Sequence, residues 1–267
     1  MLIFFGGGVM AEAIWRGLLA QEYDPEQIVV VERRADRCAQ IEEKYLLRTV
    51  GGLGELTGVA QATLVLAVKP QDAAVALTDV AAHPPRLLVS ICAGLTTEYL
   101  ESRAGGQLPV VRVMPNTPAL IGCGATALCA GRFAGAEHLR TVQRMFEAVG
   151  VTVVLPEERL MNAVTALSGS GPAYLFALAR DLVAGGMAQG LDEATARTLA
   201  QQTLLGAAKL WQESGLAPDA LIAQVKSKRG TTEAALNTLA EQGWSAAMLN
   251  AVAAAARRAQ ELAEEAR

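Results

Sequence analysis

The chain has 267 residues, 52% of them hydrophobic, and a net charge of −4, enough for one large domain or two smaller ones with real cores and with no basic stripe for nucleic acid. Cys38, Cys92, Cys123 and Cys129 lack C-x-x-C spacing and His83 and His138 are the only histidines, which argues against a zinc site, any other metal or a disulfide framework and for a reducing compartment. No apolar run reaches the roughly 18 residues that span a bilayer, and the chain opens on a core strand with no charged leader before it, so a cytoplasmic protein with no membrane partner is expected.

The first element is the strand Ile3-Phe4-Phe5, which breaks into Gly6-Gly7-Gly8 and then into a helical pattern from Ala11 to Ala20. Gly6, Gly8 and Ala11 fill the G-x-G-x-x-A form of the dinucleotide fingerprint. The first glycine makes the turn, the second admits a pyrophosphate to the backbone, and the small third residue lets helix and strand pack closely. The helix N-terminus then faces the phosphates with unpaired N–H groups and its positive dipole end. A second strand, Gln27 to Val31, ends in Glu32, twenty-one positions after Ala11, the spacing of an acid that accepts hydrogen bonds from a ribose. Arg33 and Arg34 follow it and are suited to a 2′-phosphate, so both NADH and NADPH are expected as cofactors.

The pattern alternates strand and helix to about Leu155. Ala62 to Val68, Arg86 to Ile91 and Pro109 to Met114 are continuous apolar runs, the mark of strands covered on both faces. In an open parallel sheet, ligands sit at the carboxyl ends of the strands. Ala67, Val68, Lys69 and Pro70 at the end of one run, Cys92, Ala93 and Gly94 after the next, and Asn116 after the third are therefore expected to line one crevice with Gly6, Gly8, Val9, Met10 and Ala11.

Beyond Pro156 the chain reads as helices, Glu157 to Gly185, Asp192 to Ser214 and Trp244 to the end. Ala, Leu and Met dominate, and helices apolar over most of their circumference require burial against a second subunit. The expected class is α/β: a dinucleotide-binding domain with a mainly parallel sheet over 1–156, and an all-α dimerisation and substrate domain over 157–267. Ser168-Gly-Ser-Gly-Pro-Ala173 places two glycines and a proline inside a helical pattern, which signals a kink or a close backbone approach. Ser227-Lys-Arg-Gly-Thr-Thr232 is a loop running into a helix start, with hydroxyls and free N–H groups for an anion.

These stretches carry a resemblance. Phe5 to Ile14, Ala67-Val-Lys-Pro-Gln71, Ser90-Ile-Cys-Ala-Gly94, Val111 to Ala119 with its Met-Pro-Asn-Thr-Pro core, Leu167-Ser-Gly-Ser-Gly-Pro-Ala-Tyr174 and Gly230-Thr-Thr232 resemble the pyrroline-5-carboxylate reductases, in that family's order. The resemblance implies hydride transfer from NAD(P)H to C5 of a small cyclic imino acid. It implies a homodimer in which the partner subunit completes each site, with rings of dimers, often decamers, as a further assembly. By the same resemblance Thr232 meets the imine nitrogen as the catalytic hydroxyl, and Gly230, Thr231, Thr232 and Glu233 hold the carboxylate. Ser168 lies in the substrate stretch, and Glu158 is an acid near the site. The chain departs from the family at Lys228-Arg229, where Pro-Gly is usual, and at Val9, where a polar residue is usual.

Two other classes fit the layout less well. A β-hydroxyacid dehydrogenase needs a catalytic lysine on the first long helix of the second half, and none lies between Asn162 and Gly185. A non-catalytic dinucleotide-binding protein on the same fold has no need of Thr232 or of the Ser168 to Tyr174 stretch.

Overall fold

The computed structural model describes residues 1–265. By packing, the chain forms two units, one of Met1–Ser170 together with the chain from Ala254 onward, the other of Gly171–Ala253. The packing boundary falls later than the change of sequence character at Pro156.

The first unit is built on an eight-stranded sheet: β1 (Leu2–Phe5), β2 (Ile28–Val31), β3 (Arg48–Val50), β4 (Thr63–Leu66), β5 (Leu87–Ser90), β6 (Val110–Met114), β7 (Gly124–Ala130) and β8 (Gly150–Val154), in the order β3-β2-β1-β4-β5-β6-β7-β8. All neighbours are parallel except β6 and β7. The strands β1, β2, β4 and β5 are buried along their whole length, because helices cover both faces. Alternate residues divide between two cores, as a pleated strand requires. Leu2, Phe4, Ile28, Val30, Val65 and Val89 meet one set of helices, and Ile3, Phe5, Val29, Val31, Leu64 and Leu66 meet the other.

Helix α1 (Val9–Ala20) buries Ala11, Ile14, Trp15 and Leu18, one helical face at the spacing i, i+3, i+4, i+7. Four further helices, α2 (Ala35–Tyr45), α3 (Ala73–Ala82), α4 (Thr97–Arg103) and α5 (Ala136–Glu147), complete the covering layers. The strand order reverses between β1 and β4, which opens a crevice beyond their carboxyl ends.

Three strands, β3, β7 and β8, lie outside the apolar runs legible in the sequence. β3 has three residues, β7 is built of small residues, and β8 is an edge strand whose Val151 and Val153 are each 58% exposed, so none carries the signal of a doubly covered strand.

The single long helix expected from Glu157 is broken. A 3₁₀ turn at Glu158–Leu160 leads into α6 (Met161–Val164), then a π-turn at Thr165–Gly169, then α7 (Gly171–Ala188). The kink signalled by Gly169, Gly171 and Pro172 is this π-turn, in which the Ser170 amide bonds the Thr165 carbonyl at 2.8 Å. Met161 and Ala166 are buried, which holds these turns in the first unit.

The second unit is helical: α7, α8 (Glu193–Ser214), α9 (Pro218–Val225), α10 (Thr231–Glu241) and the start of α11 (Trp244–Glu265). Asp192 caps α8 through the Thr195 amide and Gly215 ends it in the left-handed region, as the sequence indicates. Helix α7 has no buried residue, and Phe176 and Trp211 are 71% and 56% exposed. Among the described residues no helix is long and apolar enough to cross a membrane.

Candidate active site

Gly6 follows β1 with φ of +107°, a conformation open to glycine and strained for any other residue. A side chain there would also meet the Ala67 carbonyl oxygen at 2.8 Å. Gly7, which the fingerprint leaves free, is equally constrained: a Cβ would sit 2.9 Å from Ile41 and 3.0 Å from the Glu32 carboxylate. Gly8 caps α1, and the nearest atom to a Cβ placed on it is 3.9 Å away. The protein thus leaves space at the position where a pyrophosphate must approach the backbone. A cleft of about 830 Å³ opens here between Gly6 to Val9, the Glu32 to Arg34 turn and Ala67 to Lys69. Its shape and its donors fit a dinucleotide. Ala11 is buried against the strand layer and Met10 is packed on the same core, so these two act through packing.

Glu32 is held by five donors. Oε1 accepts from the Arg33 and Arg34 amides at 2.9 and 3.0 Å and from Arg34 Nε at 3.3 Å. Oε2 accepts from the Gly7 amide and from Arg34 Nη2, both at 3.2 Å. Burial pushes this carboxyl up, but the Arg34 hydrogen bonds and charge and the Gly7 amide outweigh it and hold it below the ordinary value. Of the five donors, only the Arg34 guanidinium is on a long, exposed side chain, 62% exposed.

The Gly7 peptide is gripped at its other end too. Arg37 Nε donates to the Gly7 carbonyl at 2.7 Å and Arg37 Nη2 to Glu12 Oε2 at 2.5 Å, while Tyr45 and Lys44 also bond Glu12. These residues escape the sequence reading. The available signal is Glu12 itself, an acid in the first turn of a phosphate-facing helix, which needs cations beside it. Burial pushes the Glu12 carboxyl up, yet the bonds from Tyr45, Arg37 and Lys44 win and bring it down from 4.5 to about 2. A depressed carboxylate contributes stability that is complete above its ordinary pKa and is lost as pH falls toward the folded one. Stability therefore declines from about pH 4.5 down to 2 on account of this group. Glu12→Gln should flatten that part of the unfolding-midpoint profile; parallel profiles for the two proteins would remove the network from the acid response.

Several sequence-expected contacts are placed elsewhere. Cys92 is buried, its thiol donating to the Val68 carbonyl at 3.3 Å, and burial pushes it up to about 11, against smaller opposing effects of its hydrogen-bonding neighbours Ser90 and Val68. It is a core residue. Ala93 and Gly94 form the following turn, and a Cβ on Gly94 would meet the Leu262 backbone at 3.4 Å. Pro70 is exposed and starts the 3₁₀ turn before α3. Asn116 is 8% exposed with both ends of its amide engaged, Oδ1 by the Ala125 N–H at 2.9 Å and Nδ2 by the Ser168 carbonyl at 3.1 Å. Neither Cys92 nor Asn116 presents its side chain to the cleft.

Glu158 is likewise committed. Its oxygens take the Thr97 amide and Arg112 Nη1, each at 2.8 Å, and the Thr97 hydroxyl at 2.5 Å. It ties the first turn after the sheet to β6 and to the start of α4. Ser168 donates to the Val164 carbonyl at 3.1 Å. His83 lies against Asp79 at the end of α3, and His138 accepts from the Gly135 amide at the start of α5.

In the helical unit, α10 begins at Thr231 with Gly230 as its N-cap and no side-chain cap. Arg229 takes φ of +58°, at a cost of about 1–2 kcal/mol for a side-chain-bearing residue. Glu233 offsets it by accepting the Arg229 amide at 2.7 Å, and Lys226 lies 3.6 Å from its other oxygen. Glu233 is therefore a cap on this loop, occupied on both oxygens. Thr231 and Thr232 have no hydrogen-bonding side-chain partner among the described residues, so their hydroxyls and the first-turn amides are open.

A mainly parallel sheet with a fingerprint turn, a cleft at its topological switch and an acid closing the second strand defines a dinucleotide-binding unit. Residues 2–94 match the model described as NADP oxidoreductase, coenzyme F420-dependent, and residues 158–262 match pyrroline-5-carboxylate reductase dimerisation. The chain is 40% identical to the pyrroline-5-carboxylate reductase of Synechocystis sp. over 97% of each protein. Its structure is similar to that of a pyrroline-5-carboxylate reductase from Coxiella burnetii, with a TM-score of 0.91 and 34% identity over 98% of this chain and 97% of that one. It also resembles the Plasmodium falciparum enzyme with NADP bound, with a TM-score of 0.86 and 27% identity over 98% and 97% of the two chains. The chain belongs to the pyrroline-5-carboxylate reductase family.

Proposed function

We propose that the chain reduces 1-pyrroline-5-carboxylate to L-proline with NAD(P)H, the last step of proline biosynthesis. The observation that carries this reading is the open helix start at Thr231 and Thr232, which offers N–H groups to a carboxylate and a free hydroxyl to a ring nitrogen, while the Gly230 N–H is taken by the Ser227 carbonyl at 3.0 Å. The dinucleotide, when bound, supplies the hydride that C5 of the imine receives. The protein's part is to bind and orient. The Gly8 and Val9 amides hold the phosphates while Gly6 and Gly7, whose amides are taken by Val31 and Glu32, form the turn; Glu32 meets the adenosine ribose, and Ala67 to Lys69 form the opposite wall. Thr232 orients the imine nitrogen and hands on its proton. An imine takes up a proton readily near neutral pH, so positioning carries most of the acceleration.

In this reading residues 157–267 form the dimerisation and substrate part, in a cytoplasmic homodimer whose exposed faces on α7 and α8 are covered by the second subunit. That subunit completes each site, and dimers assemble into a decameric ring. Oxidation of NADH and NADPH by the purified protein with pyrroline-5-carboxylate tests the activity. Rapid turnover is expected, and none in a protein that still binds dinucleotide overturns it.

Cofactor choice rests on Glu32. Glu32→Ser frees the Arg33 and Arg34 amides and the Arg34 guanidinium for a 2′-phosphate. The ratio of kcat/KM for NADPH over NADH should rise on the order of ten-fold, about 1.4 kcal/mol; an unchanged ratio removes Glu32 from the ribose.

A further inference from the structure

Two stretches of the sequence that look unrelated, Met114-Pro-Asn-Thr-Pro118 and Ser168-Gly-Ser-Gly-Pro172, are complementary in the fold. In a regular α-helix the Ser168 carbonyl accepts the N–H of the residue four positions on. That residue is Pro172, which has no N–H and whose ring crowds the same carbonyl. The Ser168 oxygen is thus left without its helical donor inside a partly buried turn, where an unmet acceptor is costly. Asn116 supplies the missing donor from the end of β6, through Nδ2 at 3.1 Å. The opposite end of its amide is fixed by the Ala125 N–H at 2.9 Å, which orients the group with Nδ2 toward the Ser168 carbonyl. Around this clamp the chain widens: the Ser170 amide reaches back five residues to Thr165, and the Met114 methyl lies where a side chain on Gly169 would collide, at 2.7 Å. A π-turn retained inside a helix despite its poorer hydrogen bonding is a frequent companion of functional sites.

We propose that Asn116 is a positioning residue for imine reduction: it replaces the donor that Pro172 removes and so holds the π-turn that sets the backbone of Ser168 to Ser170 for the substrate. The inference rests on the reading that Ser168 belongs to the substrate site.

Asn116→Asp keeps the acceptor for Ala125 and turns an oxygen toward the Ser168 carbonyl. Ionised, it repels that carbonyl; protonated, it donates to it. Burial raises such a carboxyl well above its ordinary value of about 3.9. At about pH 8 the variant should lose on the order of 30-fold in kcat/KM for the imine, with dinucleotide Kd within about two-fold, and should recover most of the loss relative to the parent by about pH 5.5. Amide exchange over residues 165–171 should accelerate about ten-fold at the higher pH and recover with it. In a Pro172→Ala background, which returns a main-chain N–H to Ser168, the same substitution should cost at least several-fold less, as coupled sites do. A fall in dinucleotide affinity matching the loss of activity would make Asn116 a cofactor residue and overturn the proposal, as would unchanged activity, a pH-independent loss or a strictly additive double variant. If the parent protein itself fails to turn over the imine, the proposed activity fails instead, and amide exchange still reads the clamp.

Discussion

Thr232→Ala should lower kcat/KM for pyrroline-5-carboxylate by about 10²–10³-fold, the range of a lost orienting and proton-handling group, while dinucleotide affinity stays within about two-fold. Thr232 lies in the first turn of α10, whose N-cap Gly230 contributes no side chain. Glu233 is spent on Arg229 and Lys226, so the threonine hydroxyls and the first-turn amides are what this loop offers a substrate. A hydroxyl engaged more strongly in the transition state than in the ground state shows its loss in kcat as well as in kcat/KM. Thr232→Ser keeps the hydroxyl and should restore most of the activity. An alanine variant with unimpaired turnover would remove Thr232 from the chemistry.

Glu158→Ala should destabilise the first unit by about 3–5 kcal/mol, because it leaves a buried cation without its partner. The Arg112 side chain is 6% exposed and its ion pair with Glu158 is 2.8 Å long. The same substitution leaves the Thr97 amide at the start of α4 without its acceptor. For a unit of this size the loss corresponds to a fall in Tm on the order of 10 °C. At temperatures where the variant is folded, KM for the imine should be nearly unchanged, since both carboxylate oxygens face inward partners. A near-native Tm with a raised KM would return Glu158 to the substrate.

The nucleotide half was legible where chemistry and local structure coincide. Gly6 has to be glycine for its turn, and the short continuous apolar runs bounded by turn residues have the pattern of strands covered on both faces. Glu32 closes its strand at the distance the fingerprint demands. The apolar circumference of the second half called for a partner, and its match to a dimerisation family agrees with that. Legibility stopped where a residue's role depends on what lies across the fold. Cys92 and Asn116 sit at strand ends, as the crevice argument requires, but position on a strand does not say which way a side chain turns, and both turn inward.

By itself the sequence determined the five apolar strands and the helices between them, the fingerprint turn, the acid after the second strand and the helix start after Arg229, because each follows from backbone conformation or hydrophobic periodicity over a few residues. Only the tertiary structure decided that Gly7 is held between Glu32 and Arg37, that Glu158 answers a buried Arg112, and that Asn116 stands in for the N–H Pro172 lacks. These pairs are 25 to 52 residues apart, and polar groups find such partners when burial takes away water, a condition that exists once the chain has folded and leaves no period in the sequence.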